Sequence, residues 1–342
     1  MHRLRLLFLT LSFTVLCATI GQAQDPVFSQ FFSMPMQLNP AFAGNTAAPR
    51  LAFSYRDQWQ WAAPLNVYKT YAVSYGQFFD PINSSLGIMI QADDAGEGVY
   101  RNNSFSGIYG YRLQINRELF VKVGVEAAIM QSNLDWNKLV FLDQIDPIDG
   151  VVKGSEESAN GRLSQVSGSV GAGMLLYAKN YYIGFGAKHL NTPDESFLDV
   201  NSNLASGLPM RIALQAGGQF TLQKGSSRQT ASFISPNATL VRQGNLMQVN
   251  AGAYLGYGAF FGGAWFRHAI GNPDAAIFMV GAEYDIFRIG YSYDFTVSGL
   301  SASQGGSGGT SEITVILNFE NSANFKRQRR SNRYNDCLKM FR

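Results

Sequence analysis

Histidine and cysteine are well suited to catalysis or metal binding, and the chain has few of either. His189 has Asp194 and Glu195 shortly after it, so a Ser–His pair of the esterase type could form there. His268 stands beside Arg267 and offers no better arrangement. A histidine at the border of a loop is usually structural or solvated, and we therefore expect the chain not to be an enzyme.

Three short patterns resemble ligand sites but lack features that such sites need. Asp143, Asp146 and Asp149 in DQIDPIDG could bind calcium, but the spacing does not provide the glycine and the glutamate of an EF-hand loop. The glycine patterns GAGM at 171–174 and GSGG at 306–309 do not predict phosphate loops, because no helix follows either of them. We therefore predict neither a cofactor nor a metal site, and we expect DQIDPIDG to be a solvated loop.

The first 23 residues predict export. Arg3 and Arg5 precede an apolar run at 6–17, and Gly-Gln-Ala at 21–23 offers the small residues of a cleavage site. This pattern is typical of a secretory signal peptide, and no later stretch has the roughly 18 consecutive apolar residues of a transmembrane helix. The rest of the chain keeps one cysteine, Cys337, which gives no internal disulfide framework.

Charge is distributed unevenly along the chain. Residues 320–342 carry seven Lys and Arg residues against two acidic ones, whereas residues 24–319 have 18 basic and 22 acidic residues, a net charge of −4. A basic tail on a mildly acidic body does not indicate nucleic-acid binding. Charged residues make up only 15% of the chain and aromatic residues 13%, with 35 glycines, which favours an exported, β-rich protein.

A period of two residues recurs through most of the chain. In FRIGYSYDF, apolar Phe287, Ile289 and Tyr291 alternate with polar residues that include Arg288 and Asp294. This period indicates a β-strand with one apolar face and one polar face. It predicts fourteen strands, near 50–57, 68–79, 84–94, 101–115, 119–134, 164–179, 181–190, 210–222, 231–243, 245–257, 259–269, 275–286, 287–299 and 311–319.

The connections between these strands alternate in length. Even-numbered connections such as FDPIN and INRE are short, whereas odd-numbered ones include DQWQWAAPLNV, DAGEGVYRN, AIGNPDA and the stretch 135–163. Long loops at one end and tight turns at the other are typical of an up-and-down outer-membrane β-barrel. In such a barrel the apolar face meets lipid and the polar face lines the lumen, where we expect Lys122, Glu126, Arg211, Glu283, Arg288 and Asp294. The alternative is a soluble β-sandwich or solenoid with an inward apolar face.

Residues 24–49 precede the first predicted strand and are too apolar to be left exposed. Pro35 and Pro40 exclude a long helix or a central strand there. We therefore expect this segment to pack either inside the lumen as a plug or under the barrel rim. The candidate plug residues are Phe28, Phe31, Phe32, Asn39 and Pro40.

Four blocks of the sequence resemble one known family. DPVFSQFFSMPMQLNPAFAG is followed by Arg50 and by YRDQW at 55–59, and GAGMLLYAKNYYIGFGAKHLN lies at 171–191. GYSYDFTVSGL at 290–300 and a glycine-rich loop leading to SEITVILNF complete the set. Together these blocks resemble the PorP/SprF family, outer-membrane proteins associated with the type IX secretion system of Bacteroidetes. The resemblance runs from about residue 25 to residue 319.

The resemblance implies a barrel that works with the secretion and gliding machinery of a Gram-negative, Bacteroidetes-like outer membrane. It implies that the protein helps to place or hold secreted surface proteins such as adhesins, through their C-terminal sorting domains. It also implies contact with outer-membrane lipid and with periplasmic secretion components, and it brings no catalytic residues. A porin or transporter for small solutes is the alternative function. The tail departs from the family, because Leu338 follows Cys337 where a proline is expected.

Partner contacts are expected in the long loops, chiefly 135–163 and 191–209. The candidate partner-contact residues are Trp59, Trp61, Asp143, Asp146, Asp149, Asp194 and Glu195. Trp59 and Trp61 could equally belong to an aromatic girdle at the membrane boundary, which is the interpretation we favour for Trp136. The expected organisation is a signal peptide at 1–23, an N-terminal segment at 24–49, a barrel at 50–319 and a basic periplasmic tail at 320–342.

Overall fold

The computed structural model describes residues 25–59, 68–146, 150–151, 154–157, 163–197, 207–223, 225, 230–269, 272–297 and 308–322. The signal peptide, almost all of the basic tail, Cys337, Trp61 and Asp149 lie outside these residues, and the side chain of Asp146 is not described.

The described residues form seventeen β-strands. Their bounds are β1 (Arg50–Gln58), β2 (Tyr68–Phe79), β3 (Ser84–Ala95), β4 (Tyr100–Gln114), β5 (Phe120–Leu134), β6 (Ile145–Asp146), β7 (Gly150–Val151), β8 (Ser164–Tyr177), β9 (Tyr181–Lys188), β10 (Arg211–Gly218), β11 (Phe220–Gln223), β12 (Ser232–Gln243), β13 (Leu246–Tyr257), β14 (Phe260–Ala269), β15 (Asn272–Tyr284), β16 (Phe287–Thr296) and β17 (Thr310–Asn318).

Fifteen of these strands make one closed antiparallel barrel. Each barrel strand pairs with its neighbours in the chain, β1 pairs with β17, and β10 pairs with both β9 and β12. Strand β11 continues β10 along β12 after a break at Gln219, so the barrel has fourteen positions around its ring. Strands β6 and β7 form a separate hairpin in the connection after β5. The prediction of a fourteen-stranded up-and-down barrel is confirmed.

The barrel has its apolar side chains on the outside and its polar side chains inside, the reverse of a water-soluble protein. Along β16, Arg288 and Asp294 are buried, whereas Phe287, Ile289 and Phe295 are about half exposed. The same alternation of buried and exposed residues holds along β5, where Lys122 and Glu126 are buried and Val123 and Val125 are exposed. An outward belt of apolar side chains around a polar interior is the pattern of a transmembrane barrel, in which closure leaves no unpaired strand edge in lipid.

A charge on the outward face of β5 should destabilise the barrel. Val125 is 56% exposed and lies between buried Gly124 and Glu126. We expect Val125→Arg to cost roughly 2–4 kcal/mol near the bilayer centre. Urea unfolding in lipid vesicles measures this cost, with Leu142→Arg, in a loop position already 89% exposed, as the control. An equal loss in the two variants would contradict a lipid-facing Val125.

Two connections that the sequence predicts to be long are short, because the strands on either side extend into them. Strand β3 ends at Ala95 and β4 begins at Tyr100, so DAGEGVYRN mostly extends the strands. Gly96, Glu97 and Gly98 have positive φ angles of 63°, 56° and 86°, and this left-handed backbone reverses the chain within four residues. Similarly, β14 ends at Ala269 and β15 begins at Asn272, which corrects the prediction of a long AIGNPDA loop. The end of the barrel that carries 135–163, 189–210 and 297–309 is called the loop end below.

Residues 25–49, called the N-terminal segment, pack against the buried face of the strands. Pro35 and Pro40 each start a single 3₁₀ turn, Pro35–Gln37 and Pro40–Phe42, because proline is tolerated at the first position of a helix. Asn39 caps the second turn by accepting a hydrogen bond from the backbone of Ala41 at 2.9 Å. Within the described residues, no helix is both long and apolar enough to cross a membrane.

Candidate functional site

Charged side chains on the inner wall hold the backbone of the N-terminal segment. Lys122 donates to the carbonyl oxygens of Ala43 and Gly44, and Arg50 Nη2 donates to the Ser33 carbonyl at 2.8 Å. Arg211 Nη2 donates to the Gln37 carbonyl. The Glu312 carboxylate accepts from the backbone N–H groups of Ser29 and Gln30 at 2.8 and 3.0 Å. Buried backbone groups of an irregular segment need such partners, and here the strands supply them.

A line of four glycines crosses the inner wall, and three of them contact the N-terminal segment. Gly110, Gly124, Gly173 and Gly186 lie directly opposite one another across β4, β5, β8 and β9, and are called the glycine row. A Cβ atom on Gly124 would lie 2.6 Å from the Ala41 nitrogen, and one on Gly173 would lie 2.0 Å from Asn39 Oδ1. A Cβ atom on Gly186 would lie 2.3 Å from the Leu38 carbonyl oxygen. Only glycine therefore allows residues 38–41 to approach the wall this closely.

Aromatic side chains of the wall pack against the segment at two positions, Phe32 and Phe42. Phe32 stacks on Tyr254 and Trp265, with ring centroids 5.3 and 5.5 Å apart. Phe42 meets Tyr182 edge to face at 5.7 Å. All five rings are at most 4% exposed. These contacts remove from water the aromatic side chains of a segment that is too apolar to be left exposed.

A buried ionic cluster joins the segment to β1, β14, β16 and β17. Arg56 lies 3.4 Å from Asp294 and 3.2 Å from Glu312, and Arg267 lies 2.9 Å from Asp294. The Ser29 hydroxyl donates to Asp294 at 2.5 Å, which brings the segment into the cluster. Such a cluster contributes most when every charge has a partner, because an unpaired buried charge is costly.

Asp25 binds the start of the N-terminal segment to the inner wall. Its Oδ2 atom lies 2.7 Å from His189 Nε2 and 3.2 Å from Arg211 Nη1, and its backbone N–H donates to Gln243 Oε1 at 3.0 Å. Burial alone would raise the pKa of Asp25, but the charges of Arg211 and His189 outweigh it and hold the pKa well below its usual range. Asp25 therefore stays ionised and bound at neutral pH.

Ser169 completes a Ser–His–Asp arrangement with His189 and Asp25. Its Oγ atom lies 2.8 Å from His189 Nδ1, whereas in the hydrolase triad the serine contacts Nε2 and the aspartate contacts Nδ1, so the two ring nitrogens are used in the reverse order here. In addition, Ser169 is only 5% exposed and does not line the neighbouring cavity, and Asp25 is shared with Arg211. A catalytic serine must meet its substrate, so we assign these three residues to holding the segment.

A cavity of about 680 Å³ lies between the N-terminal segment and the loop end of the barrel, and is called the vestibule. Its floor includes residues 25–27 and Gln37 of the segment. Its rim includes Trp59, Tyr68 and Tyr100, which stand where β1, β2 and β4 meet their loop-end connections. A space of this volume is within the usual range for ligand pockets.

Glu195 lines the vestibule from the connection after β9. Asn102 donates a hydrogen bond to its carboxylate, and the nearby Phe197 ring packs edge to face on Tyr100 at 6.1 Å. Burial, followed by the charge of Asp25, raises the pKa of Glu195 from 4.5 to about 7. The carboxyl group is therefore half protonated near neutral pH.

Glu195 should make the loop end less stable as pH rises. The folded state keeps its proton up to a pKa of about 7, whereas the unfolded chain releases it near 4.5, so stability falls between these two pH values. We expect Glu195→Gln to flatten this part of the pH profile of the thermal midpoint. Asp194→Asn, at the exposed neighbouring position, is the control and should keep the slope. An unchanged slope in Glu195→Gln would contradict the assignment.

The sequence-predicted lumen residues lie on the inner wall. Lys122, Glu126, Arg211, Arg288 and Asp294 are at most 8% exposed. Glu126 pairs with Lys188 at 2.8 Å, and the Arg288 guanidinium lies over the Phe261 ring at 4.3 Å. Glu283 is half-buried and lies directly opposite Arg288 in the β15–β16 register. The candidate plug residues Phe28, Phe31, Phe32, Asn39 and Pro40 are all buried.

The predicted partner-contact residues are scattered around the loop end. Trp59 lines the vestibule, has a φ angle of 62° and contacts Tyr68 edge to face at 5.5 Å. Asp143 accepts from the Ser155 hydroxyl at 2.9 Å, in a loop away from Glu195 and the vestibule lining. Asp194 is exposed and accepts from the Ser196 backbone at 2.9 Å. Among the described residues, no group of three His, Cys, Asp or Glu side chains could hold a metal ion.

Sequence reasoning missed the glycine row and the residues Arg50, Arg56 and Glu312. The signal available in the sequence was the alternation of side chains along a strand, called parity below, which puts Gly124 on the same face of β5 as Lys122 and Glu126. Parity places each residue on the inner wall but does not say which inner residues face one another. That depends on strand register, which links positions far apart in the chain.

The sequence resemblance to a known family is confirmed. The family model described as type IX secretion system membrane protein PorP/SprF matches residues 20–317. No curated protein matches the chain.

Several solved barrels resemble the chain in fold. A deltaS2 mutant of the TodX monoaromatic hydrocarbon channel aligns with a TM-score of 0.42 and 11% identity, covering 83% of this chain and 93% of that one. A triple mutant of Rhodopseudomonas blastica porin aligns with a TM-score of 0.34 and 8% identity, covering 80% and 99%. Likenesses at this level carry no information about what the chain binds.

Proposed function

The chain belongs to the PorP/SprF family of type IX secretion system membrane proteins, and from this premise we propose that it is a non-enzymatic outer-membrane barrel that helps to sort or anchor secreted surface proteins such as adhesins. Its partner outside the cell is a secreted protein with a C-terminal sorting domain. Its partners inside are periplasmic components of the secretion machinery. In this orientation the loop end and the vestibule face the exterior, and the short turns face the periplasm.

The observation that supports anchoring over solute transport is the packing of residues 25–49 within the barrel. Leu38, Phe42 and Phe28 of this segment are at most 1% exposed, and wall charges bind its backbone. A porin needs a water-filled path through its lumen. A segment packed and hydrogen-bonded in this way acts as a plug, and it leaves the vestibule as a closed-ended recess suited to holding a partner.

The proposal is tested by affinity purification of the full-length protein after crosslinking in its native cells, followed by mass spectrometry. We expect one large surface protein with a C-terminal sorting domain, together with periplasmic secretion components. Recovery of the barrel alone, combined with a stable open conductance in planar bilayers, would overturn anchoring in favour of solute transport. The matched control is the same purification from cells that express an unrelated tagged barrel.

A further inference from the structure

One wall of the vestibule carries several hydrogen-bond acceptor atoms that have no partner, among them Glu195 Oε1. Asp93 on β3 lies directly opposite Asn102 on β4, and Asn102 donates to Glu195 while its own Oδ1 atom has no partner. Deeper in the vestibule, Gln37 is 2% exposed and its Oε1 atom also has no partner. Gln37, Asp93, Asn102 and Glu195 all line the vestibule and are called the acceptor wall. Buried acceptors left unpaired are rare, because each one costs free energy.

Adjacency within the acceptor wall follows from the strand register. Gln37 Nε2 contacts Gln91 at 3.3 Å, and Gln91 precedes Asp93 by two residues on the same face of β3. Asp93 accepts a hydrogen bond from the Thr70 hydroxyl at 2.5 Å, which fixes one of its two oxygens. The acceptors therefore form a continuous line from the vestibule floor to Glu195 near the rim.

The cations around the vestibule are already paired with other acids. Arg56 pairs with Asp294 and Glu312, and Lys188 pairs with Glu126. His189 and Arg211 pair with Asp25, and Arg267 pairs with Asp274 and Asp294. In the part of the chain that the structure describes, neither Asp93 nor Glu195 forms an ion pair with any of them. The acceptor wall thus presents to the vestibule two carboxyl groups that form no ion pair with these cations.

We propose that the vestibule receives a basic side chain, arginine or lysine, carried on an extended segment of the partner protein. A guanidinium group offers five donors, which can serve the three acceptor atoms without a partner, Gln37 Oε1, Asn102 Oδ1 and Glu195 Oε1, and pair with the Asp93 carboxyl group. The identity of the partner rests on the proposed function, whereas the site rests on the geometry. Trp59, Tyr68 and Tyr100 at the rim add aromatic faces on which the stem of such a side chain packs.

Access to the vestibule favours a protein partner approaching from the loop end. Asp25, Pro26, Val27 and Gln37 of the N-terminal segment line the vestibule on one side, and Trp59, Tyr68 and Tyr100 line it at the loop end, so a partner outside the cell would reach it past these three rings. A volume of about 680 Å³ admits a long side chain together with neighbouring peptide groups.

The test uses the full-length protein in lipid nanodiscs and two capped tripeptides, acetyl-Gly-Arg-Gly-amide and its neutral citrulline analogue. Saturation-transfer NMR titration gives the Kd of each peptide. We expect the arginine peptide to bind at least about tenfold more tightly than the citrulline peptide, since a charge-assisted hydrogen bond is stronger than a neutral one. Asp93→Asn and Glu195→Gln should each weaken binding of the arginine peptide by about tenfold.

The neighbouring acids provide matched controls. Asp94 and Asp194 adjoin Asp93 and Glu195 in the chain but do not line the vestibule, so Asp94→Asn and Asp194→Asn should leave the Kd unchanged. Each test variant replaces a carboxyl group that forms no ion pair with the surrounding cations by an amide of the same shape, so both should fold with a thermal midpoint close to that of the parent.

The outcomes separate this inference from the proposed function. Equal binding of the two peptides, or unchanged binding in both test variants, would overturn the inference even if crosslinking recovers the cargo. Selective binding of the arginine peptide by a barrel that recovers no partner from cells would overturn the proposed function and leave the cation site in place.

Discussion

Gly173→Val should displace the N-terminal segment from the inner wall and thereby open an ion-conducting path through the barrel. A Cβ atom at this position would lie 2.0 Å from Asn39 Oδ1 and 3.1 Å from Pro40 Cδ. The backbone of β8 cannot retreat, because β5 and β9 pair with it on both sides. The segment must therefore move, which breaks the Asn39 cap and its hydrogen bond to the Met174 carbonyl. Overpacking of this kind costs roughly 1–3 kcal/mol or more.

Single-channel recording in planar bilayers measures this effect directly. We expect long-lived open events in Gly173→Val and few in the parent. Gly168→Val is the matched control, because Gly168 lies on the same strand, is exposed, and has nothing within 4 Å of an added Cβ atom. If Gly173→Val were as silent as the parent and equally stable to heat, the seat assigned to residues 38–41 would be wrong.

Arg56→Met should destabilise the whole barrel. The side chains of Arg56, Asp294 and Glu312 are 3%, 1% and 0% exposed, so removing the cation leaves Glu312 without an ionic partner in the described cluster. Breaking a buried ion pair from one side typically costs about 3–5 kcal/mol. The loss should appear as a lower urea midpoint in detergent or vesicles, together with faster proteolysis of the N-terminal segment, because Ser29 belongs to the same cluster.

The comparison variant for this prediction is Arg101→Met. Arg101 pairs with Asp94 at 3.3 Å, but its side chain is 56% exposed, and such surface pairs contribute about 0–1 kcal/mol. Adding Glu312→Gln to Arg56→Met should recover part of the lost stability, because it replaces the carboxylate that has lost its ionic partner with a neutral amide. Equal midpoints for Arg56→Met and Arg101→Met would show that the buried cluster does not hold the barrel together.

Most of the barrel wall was predictable because its determinants are local. The period of two identifies each strand from its own residues, and the predicted strand 68–79 coincides with β2. Connections were less predictable. DAGEGVYRN contains two glycines, and composition alone does not say whether they lie in a long loop or, as here, in a turn with positive φ.

The contents of the lumen were only partly predictable. The proline pattern of residues 24–49 excluded a helix, and the apolar side chains required burial, but both the lumen and the rim could provide it. Parity placed Lys122 and Arg211 on the polar face of their strands. No pattern within a strand could indicate that these side chains donate hydrogen bonds to the carbonyl groups of Gly44 and Gln37.

The sequence by itself therefore determined the barrel, its strand number and which face of each strand meets lipid, since alternation along one strand decides these. Only the tertiary structure decided what the inner residues do. Register between the strands aligns the glycine row and sets Asn102 opposite Asp93, and the packing of the N-terminal segment against the inner wall brings Asp25 to His189. The glycine row and the Asp25–His189 pair join residues that are far apart in the chain, and ring closure with a fixed stagger is what places the wall residues together.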